Sequence, residues 1–366
     1  TYFNRIPLII GLHMVQQKKS LHLIQLLRGI ASLLVVFLHA TSNVNEKLNA
    51  KFLGDFFSFG GAGVDIFFVL SGFIITYTSA KGLANKEKLK PFIRKRIIRI
   101  YPTYWIIISG FLVLQILFPS FYRVPYDGTV NNFFATYLLL PKHAMVNGVS
   151  WTLTYEIYFY LLFSLGFLIH KKKWFFYILF AYSISIILLP LFNYNFENAN
   201  EWIKLISSPM NIEFFMGVLA ALVITKLNAM MAKPLVIIGS ALFFVSGVLS
   251  NNGVILFNNE FNRVILFGIP SFLLIIAVVK LEITKKVEAP IILLLLGEAS
   301  YSIYLIHLPV VAAATVVLAK LGISNVLILH FSLLIIIVII CVVGILFFKW
   351  VERPIIDKLN SMFSTT

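Results

Sequence analysis

The chain has 366 residues, of which 60% are hydrophobic and 12% are charged, and its mean hydropathy is +0.92. These values lie far outside the range of soluble domains and predict a polytopic membrane protein. The net charge of +15 could indicate a nucleic-acid partner, but in a membrane protein it is more typical of basic cytoplasmic loops. The single cysteine, Cys341, lies in an apolar run, which excludes a disulfide framework and a cysteine metal site.

The apolar stretches predict an all-α polytopic membrane protein with about ten transmembrane helices. A spanning helix needs about 20 apolar residues. Ten stretches approach this length, at residues 22–40, 62–79, 98–118, 150–169, 174–191, 211–226, 233–250, 262–280, 299–318 and 325–349. They define a transmembrane domain at residues 21–350, preceded by a cytoplasmic or interfacial segment at 1–20 and followed by a cytoplasmic tail at 351–366.

The basic residues predict the orientation of these helices. If the N-terminus is cytoplasmic, the loops on that side hold 22 of the 30 lysines and arginines, and the opposite loops hold seven. By the positive-inside rule, both termini are then cytoplasmic. Because topology explains the basic surplus, no nucleic-acid partner is expected.

The first apolar stretch, "LLRGIASLLVVFLHA" at residues 26–40, contains Arg28 and His39. The two residues are eleven positions apart, which returns to within about 20° of the same helix face after a rise of about 16 Å. Ionisable groups within a membrane are costly and usually face a cavity or a partner. The alternative is an arginine that reaches the headgroups and a histidine that bonds a neighbouring helix.

Two acidic residues are predicted to approach the level of His39. Asp65 begins the second stretch and Glu156 lies about six residues into the fourth, and both stretches enter from outside. A carboxylate beside an imidazole fixes its tautomer and stabilises the imidazolium. The alternatives are a helix-capping role for Asp65 and a structural pairing for Glu156.

A basic block precedes the third stretch: "RKRIIRIYPTYW" at residues 94–105. Arg96 and Arg99 are three positions apart on one helix face, and arginine binds phosphate through two parallel hydrogen bonds. The pair could therefore hold the phosphates of a nucleotide-like cytosolic donor. An anchor for anionic lipids would have the same composition.

Five blocks in order resemble the acyltransferase-3 family of integral membrane proteins. They are "RGIASLLVVFLHA", "GVDIFFVLSGF", "RKRIIRIYPTYW", "SWTLTYEIYFYLLF" and "EASYSIYLIHLPV". The resemblance implies an enzyme of the bacterial cytoplasmic (inner) membrane that transfers acyl groups, mostly acetyl from acetyl-CoA, onto surface carbohydrates. The fourth block is most similar to the branch associated with exopolysaccharide production.

The resemblance also implies roles for individual residues. His39 and Arg28 would be essential, and Arg96 and Arg99 would bind the acyl donor. His39 would act as a general base on a sugar hydroxyl or as a nucleophile that forms an acyl-imidazole, with Glu156 orienting it. Acetyl-CoA would be a co-substrate, and neither a metal nor a permanently bound cofactor is expected.

Some intramembrane groups are open to more than one interpretation. Tyr301 and His307 recur in the family's motifs and could support catalysis, although a hydrogen bond between packed helices is an equally good explanation. Glu213 and Glu298 are interpreted as structural or interfacial groups.

Two other functions remain compatible with the sequence. A transporter or flippase could use the buried His and Glu residues as a substrate or proton path, and an inactive scaffold could serve among polysaccharide-assembly proteins. The acceptor is also open between O-antigen, exopolysaccharide, a lipid-linked sugar and a small glycolipid.

Overall fold

A computed structural model describes residues 21–118, 129–142, 146–192, 199–254, 259–285, 289–323 and 325–363. These residues form helices and no β-strand, which confirms the prediction of an all-α polytopic membrane protein. The predicted interfacial segment at residues 1–20 lies outside the described part of the chain.

The described residues form fifteen α-helices: His22–Leu48 (α1), Gly63–Ser79 (α2), Leu89–Leu117 (α3), Val130–Leu138 (α4), Trp151–Ser164 (α5), Lys172–Leu188 (α6), Glu201–Ser207 (α7), Asn211–Val223 (α8), Ala232–Asn251 (α9), Glu260–Arg263 (α10), Ile269–Thr284 (α11), Ile291–Glu298 (α12), Ser300–Lys320 (α13), Val326–Phe347 (α14) and Arg353–Met362 (α15). A 3₁₀ stretch, Phe52–Ala62, leads into α2. The π-helical turns Val264–Gly268 and Phe348–Glu352 join α10 to α11 and α14 to α15. Asparagine side chains cap several helix starts, as at Asn325, which accepts hydrogen bonds from two backbone N–H groups of α14.

Within the described residues, nine helical stretches are long and apolar enough to cross a membrane. They are His22–Leu48, Phe52–Gly82, Lys86–Leu117, Lys172–Phe192, Glu201–Val223, Ala229–Asn251, Glu260–Thr284, Ser300–Lys320 and Val326–Met362. The predicted span at 150–169 is the exception. Its α-helix, α5, has 14 residues and rises about 21 Å, less than the roughly 30 Å of the hydrocarbon core.

Helix α5 changes at Ser164 into a 3₁₀ turn, Leu165–Phe167, and Gly166 of this turn packs so closely that a Cβ atom would lie 2.8 Å from the Leu83 side chain. The backbone oxygen of Gly166 accepts a hydrogen bond from the N–H of Ala84, just before α3. At the opposite end of α3, the Gln115 amide donates to the Val146 oxygen, just before α5. Helix α5 therefore runs antiparallel to α3 and returns the chain to the end of the bundle formed by residues 80–96, called here the basic end.

The centre of the bundle is a contact between α2 and α8. Phe214 of α8 stacks on Phe68 at a centroid distance of 4.6 Å and on Phe159 at 4.5 Å. Gly72 and Gly217 allow the two backbones to touch, since a Cβ atom at either position would lie 2.0 or 2.1 Å from a backbone oxygen of the other helix. In lipid, where apolar side chains gain little by leaving the solvent, such close packing holds helices together.

Replacement of Gly217 by leucine should therefore separate α2 from α8. We expect a destabilisation of about 3 kcal/mol or more, seen as a lower melting temperature and aggregation in detergent size-exclusion chromatography. Gly110→Leu is the matched control, because a Cβ atom at Gly110 would point into open space, with no atom of a neighbouring helix within 4 Å. Equal melting temperatures for the two variants would contradict the role of this contact.

Candidate functional site

A cavity of about 180 Å³ lies between α1, α2, α3, α5 and α13. Apolar side chains form much of its wall, including Val64, Phe67 and Phe68. Its polar lining residues are Arg28, Ser71, Arg96, Arg99, Thr152, Glu156, Tyr160, Ser300, Tyr301 and Tyr304. The structure thus brings together five residues that the sequence singled out, from four different helices: Arg28, Arg96, Arg99, Glu156 and Tyr301.

The three predicted arginines line this cavity together. Arg28 of α1 donates to the Gln25 side chain at 3.1 Å. Arg96 of α3 packs over the rings of Phe92 and Tyr160, at 5.4 and 5.5 Å from their centroids. Guanidinium groups bind phosphate through charge-assisted hydrogen bonds, and the three here share the cavity with one carboxylate, Glu156.

Arg99, the third of these arginines, forms an ion pair that the sequence did not predict. Its Nη1 lies 2.5 Å from Oε1 of Glu352, and the Glu352 side chain is fully buried. The other carboxylate oxygen of Glu352 accepts from the Ser302 hydroxyl at 2.5 Å. The π-helical turn Phe348–Glu352 ends α14 at this point, so Glu352 belongs to the inner wall of the bundle.

Glu156 faces the same cavity and not His39. One of its oxygens accepts from the Ser71 hydroxyl at 3.2 Å and also from the Tyr160 hydroxyl. Among the described residues it makes no hydrogen bond to His39. The prediction that Glu156 orients His39 is therefore wrong, because Tyr160, one helical turn further along α5, holds the carboxylate at the cavity wall.

The side chain that meets His39 is His307 of α13. Nε2 of His307 lies 3.1 Å from Nδ1 of His39, and the ring centroids are 4.9 Å apart. Nδ1 of His307 lies 2.7 Å from the Tyr304 oxygen, and Nδ1 of His39 lies 2.9 Å from the Val35 oxygen. A carbonyl oxygen only accepts, so both Nδ1 atoms carry protons. The single Nδ1–H of His39 is then shared between the Val35 oxygen and Nε2 of His307, and Nε2 of the neutral His39 ring carries a lone pair.

The tyrosines of α13 connect the histidine pair to the cavity. Tyr304 lines the cavity, and its ring centroid is 5.9 Å from that of His307. Its hydroxyl is 3.0 Å from the Thr152 hydroxyl. Tyr301 donates to the Ile100 oxygen at 2.9 Å and stacks beneath Arg99. His39 and His307 therefore lie one side chain beyond the end of the cavity that Tyr304 forms.

Asp65 lies apart from both groups. Its carboxylate is fully buried and pairs with Arg263, whose Nη2 is 2.8 Å from Oδ2 and whose Nε is 3.0 Å from both oxygens. Glu213, interpreted from the sequence as a structural or interfacial group, is also fully buried. Asp65 thus does not line the cavity. It does not cap α2 either, since the N-cap position is occupied by Ala62, which provides no side-chain hydrogen bond. Its interpretation as a helix cap is wrong: Arg263 comes close enough to bind it.

Sequence reasoning missed Glu352 and Arg263 for the same reason. Glu352 falls in the predicted tail at 351–366 and Arg263 is the second residue of the predicted span 262–280, so both look like charges at the membrane surface. The available signal for Glu352 was its place four residues after the apolar run 333–348 and two before Pro354. No group of three or more His, Cys, Asp or Glu side chains in the described ranges is arranged to hold a metal ion.

The chain has recognisable relatives. The sequence model of the acyltransferase-3 family, described as an acyltransferase domain, matches residues 21–347. The exopolysaccharide production protein ExoZ of Rhizobium meliloti (strain 1021) is 29% identical over 322 residues, which cover 84% of this chain and 93% of ExoZ. The acyltransferase MdmB of Streptomyces mycarofaciens is 24% identical over 277 residues, 69% of this chain and 68% of MdmB. Nodulation protein 10 of Rhizobium leguminosarum bv. viciae is 32% identical over 158 residues, 37% of this chain and 41% of that protein. No solved structure matches the chain significantly.

The Arg99–Glu352 pair makes an asymmetric prediction for stability. Arg99→Met strands a fully buried carboxylate and should cost about 3–5 kcal/mol, whereas Glu352→Gln frees a partly exposed arginine and should cost less. The double variant Arg99→Met/Glu352→Gln should recover most of the loss. Melting temperatures in detergent test this, with Arg96→Met as the control that leaves no carboxylate unpaired. A double variant no more stable than Arg99→Met would contradict the pairing.

Proposed function

The chain belongs to the acyltransferase-3 family of membrane acyltransferases, and from this premise we propose that it transfers an acetyl group from acetyl-CoA to a carbohydrate hydroxyl. The similarity to ExoZ over nearly all of that protein supports an acceptor of the exopolysaccharide type. The proposal includes a location in the bacterial cytoplasmic membrane, beside the proteins that assemble the polysaccharide.

The proposed orientation places the basic end of the bundle in the cytosol. The loops on that side of the predicted topology hold 22 of the 30 lysines and arginines, against seven on the other side, as the positive-inside rule requires for cytoplasmic loops. Acetyl-CoA, which is cytosolic, would then reach Arg28, Arg96 and Arg99 from the basic end of the bundle.

The observation that carries the proposed function is the histidine pair that lies one side chain, Tyr304, beyond the end of an arginine-lined cavity. The Nδ1–H of His39 is shared between the Val35 oxygen at 2.9 Å and Nε2 of His307 at 3.1 Å, so Nε2 of His39 is the nitrogen that can take a proton or attack a carbonyl. The arginines would hold the donor phosphates, and the cavity would take the thioester arm. Glu156, Ser71 and Tyr160 add hydrogen-bonding groups to the wall that the arm passes.

Two routes start from this arrangement. In direct transfer, Nε2 of His39 takes the hydroxyl proton, the sugar oxygen attacks the thioester carbon, and the leaving CoA thiolate recovers the proton. In the covalent route, Nε2 attacks the thioester carbon, the C–S bond breaks and CoA leaves as the thiolate. The sugar hydroxyl then attacks the acyl-imidazole, the C–N bond breaks, and the hydroxyl proton passes to the thiolate. In both routes His39 carries positive charge transiently, and His307 stabilises it by accepting Nδ1–H.

The deciding experiment incubates purified wild type and His39→Ala with acetyl-CoA that carries a radiolabelled acetyl group, with and without added glycan. We expect His39→Ala to lose transfer by about 10²–10⁴-fold, the usual contribution of a general base, while it folds and binds CoA normally. His170→Ala, which removes an exposed histidine, should behave as wild type. Normal turnover by His39→Ala would end this mechanism, and label retained on the wild-type protein would select the covalent route.

The role of His307 has a separate test. His307→Phe removes an acceptor for Nδ1–H of His39 and should lower kcat by about tenfold, the usual contribution of one hydrogen bond and less than loss of the base itself. His307→Gln keeps an acceptor in its amide oxygen and should recover part of this loss. KM for acetyl-CoA should change little in either variant. If Phe and Gln at this position give the same kcat, the hydrogen bond to His39 does not support catalysis.

A further inference from the structure

A second, wider cavity of about 510 Å³ opens at the basic end. Its wall is built from the end of α2, the turn that follows, the start of α3, and Phe167. Four cationic side chains line it, Lys81, Lys88, Lys95 and Arg96, together with the hydroxyls of Thr78 and Ser79. None of its described lining residues is acidic.

The pocket is part of the packed structure and more than a patch of surface lysines. Phe92 and Phe167 form its apolar floor, with ring centroids 4.9 Å apart. The turn above them is fixed, since the Ala84 N–H donates to the Gly166 oxygen at 3.0 Å. Gly82 lies against Phe167 so closely that a Cβ atom would be 3.3 Å from the ring.

Arg96 and Ile74 line both cavities, so the wide basic pocket adjoins the narrow one. Arg96 stands at this junction, over the ring of Phe92 on one side and that of Tyr160 on the other. Its Nη2 is 3.4 Å from the Thr78 hydroxyl. Its Nε atom is buried, and the described residues provide it with no hydrogen-bond partner.

We propose that the wide pocket binds the phosphorylated nucleotide half of the donor, an adenosine 3′-phosphate joined to a diphosphate. This inference rests on the proposed function and identifies where the head of the donor lies. Lysine and arginine side chains bind phosphate oxygens through charge-assisted hydrogen bonds, and the apolar floor of Pro91, Phe92 and Phe167 suits the flat base. The diphosphate meets Arg96 at the junction, and the thioester arm continues into the narrow cavity.

The headgroup of an anionic lipid offers the same phosphate chemistry. A lipid, however, has no thin thioester arm to occupy the narrow cavity beyond Arg96. The two ligands also respond differently to a change in bilayer composition, because only a lipid headgroup would be supplied by the membrane itself.

The test measures equilibrium binding of CoA and of pantetheine to the protein in phosphatidylcholine nanodiscs, with and without phosphatidylglycerol. The pocket variant is Lys88→Ala/Lys95→Ala. The matched control is Lys86→Ala/Lys90→Ala, which removes the same charge from the same segment at residues that do not line the pocket. We expect the pocket variant to bind CoA at least about tenfold more weakly, which equals about 1.4 kcal/mol, and pantetheine as wild type does. The control should stay within about twofold of wild type for both ligands.

Four results would overturn the inference. An equal loss in both double variants would mean a general effect of charge. If wild type binds CoA no more tightly than pantetheine, the proposed acetyl transfer is unaffected, but the proposed nucleotide subsite is wrong. Competition of phosphatidylglycerol with CoA, lost in the pocket variant, would assign the pocket to lipid. Wild type that binds neither CoA nor pantetheine would overturn the donor of the proposed function as well.

Discussion

The ion pair between Arg99 and Glu352 holds together the parts of the bundle that form the cavity. A charge inside a membrane protein must have a partner or face water, and this pair satisfies a guanidinium on α3 with a carboxylate from the junction of α14 and α15. The Ser302 hydroxyl ties the same carboxylate to α13. One interaction thereby joins the first third of the chain to its last described helices. The position of Arg99 in the cavity wall depends on a residue more than 250 positions away.

The charged side chains of the bundle form separate groups, and this arrangement determines what surrounds His39. Asp65 is neutralised by Arg263, and Glu156 lies in the cavity with Arg28, Arg96 and Arg99. These two carboxylates are thus close to arginine side chains. The side-chain partner of His39 is another imidazole, His307. Two neutral rings are cheaper to bury in a region of low dielectric constant than an imidazolium and a carboxylate. The proton that His39 takes up is then shared with a ring that can itself accept it.

The sequence predicted the features that depend on local composition and helical periodicity. Apolar length identified the membrane class and nine of the ten spans, and helical spacing placed Arg28, Arg96 and Arg99 where they could share a cavity. It could not decide pairings between helices far apart in the chain. Periodicity gives the face of a helix but not which neighbour lies opposite. For that reason the sequence favours Glu156 as the partner of His39, and Glu352 and Arg263 look like charges at the membrane surface. The short α5 was missed because the apolar run continues past Ser164, where the α-helix changes to the 3₁₀ turn Leu165–Phe167.

The separation of a wide basic pocket from a narrow cavity has a consequence for how such an enzyme responds to the cell. If the pocket binds the half of the donor that the reaction leaves unchanged, free CoA keeps the same contacts after the acetyl group has gone. Product and substrate then compete for one site with similar affinity. The rate of acetylation would follow the ratio of acetyl-CoA to CoA more closely than the concentration of either. Surface polysaccharide would thereby be modified most when the carbon supply of the cell is high.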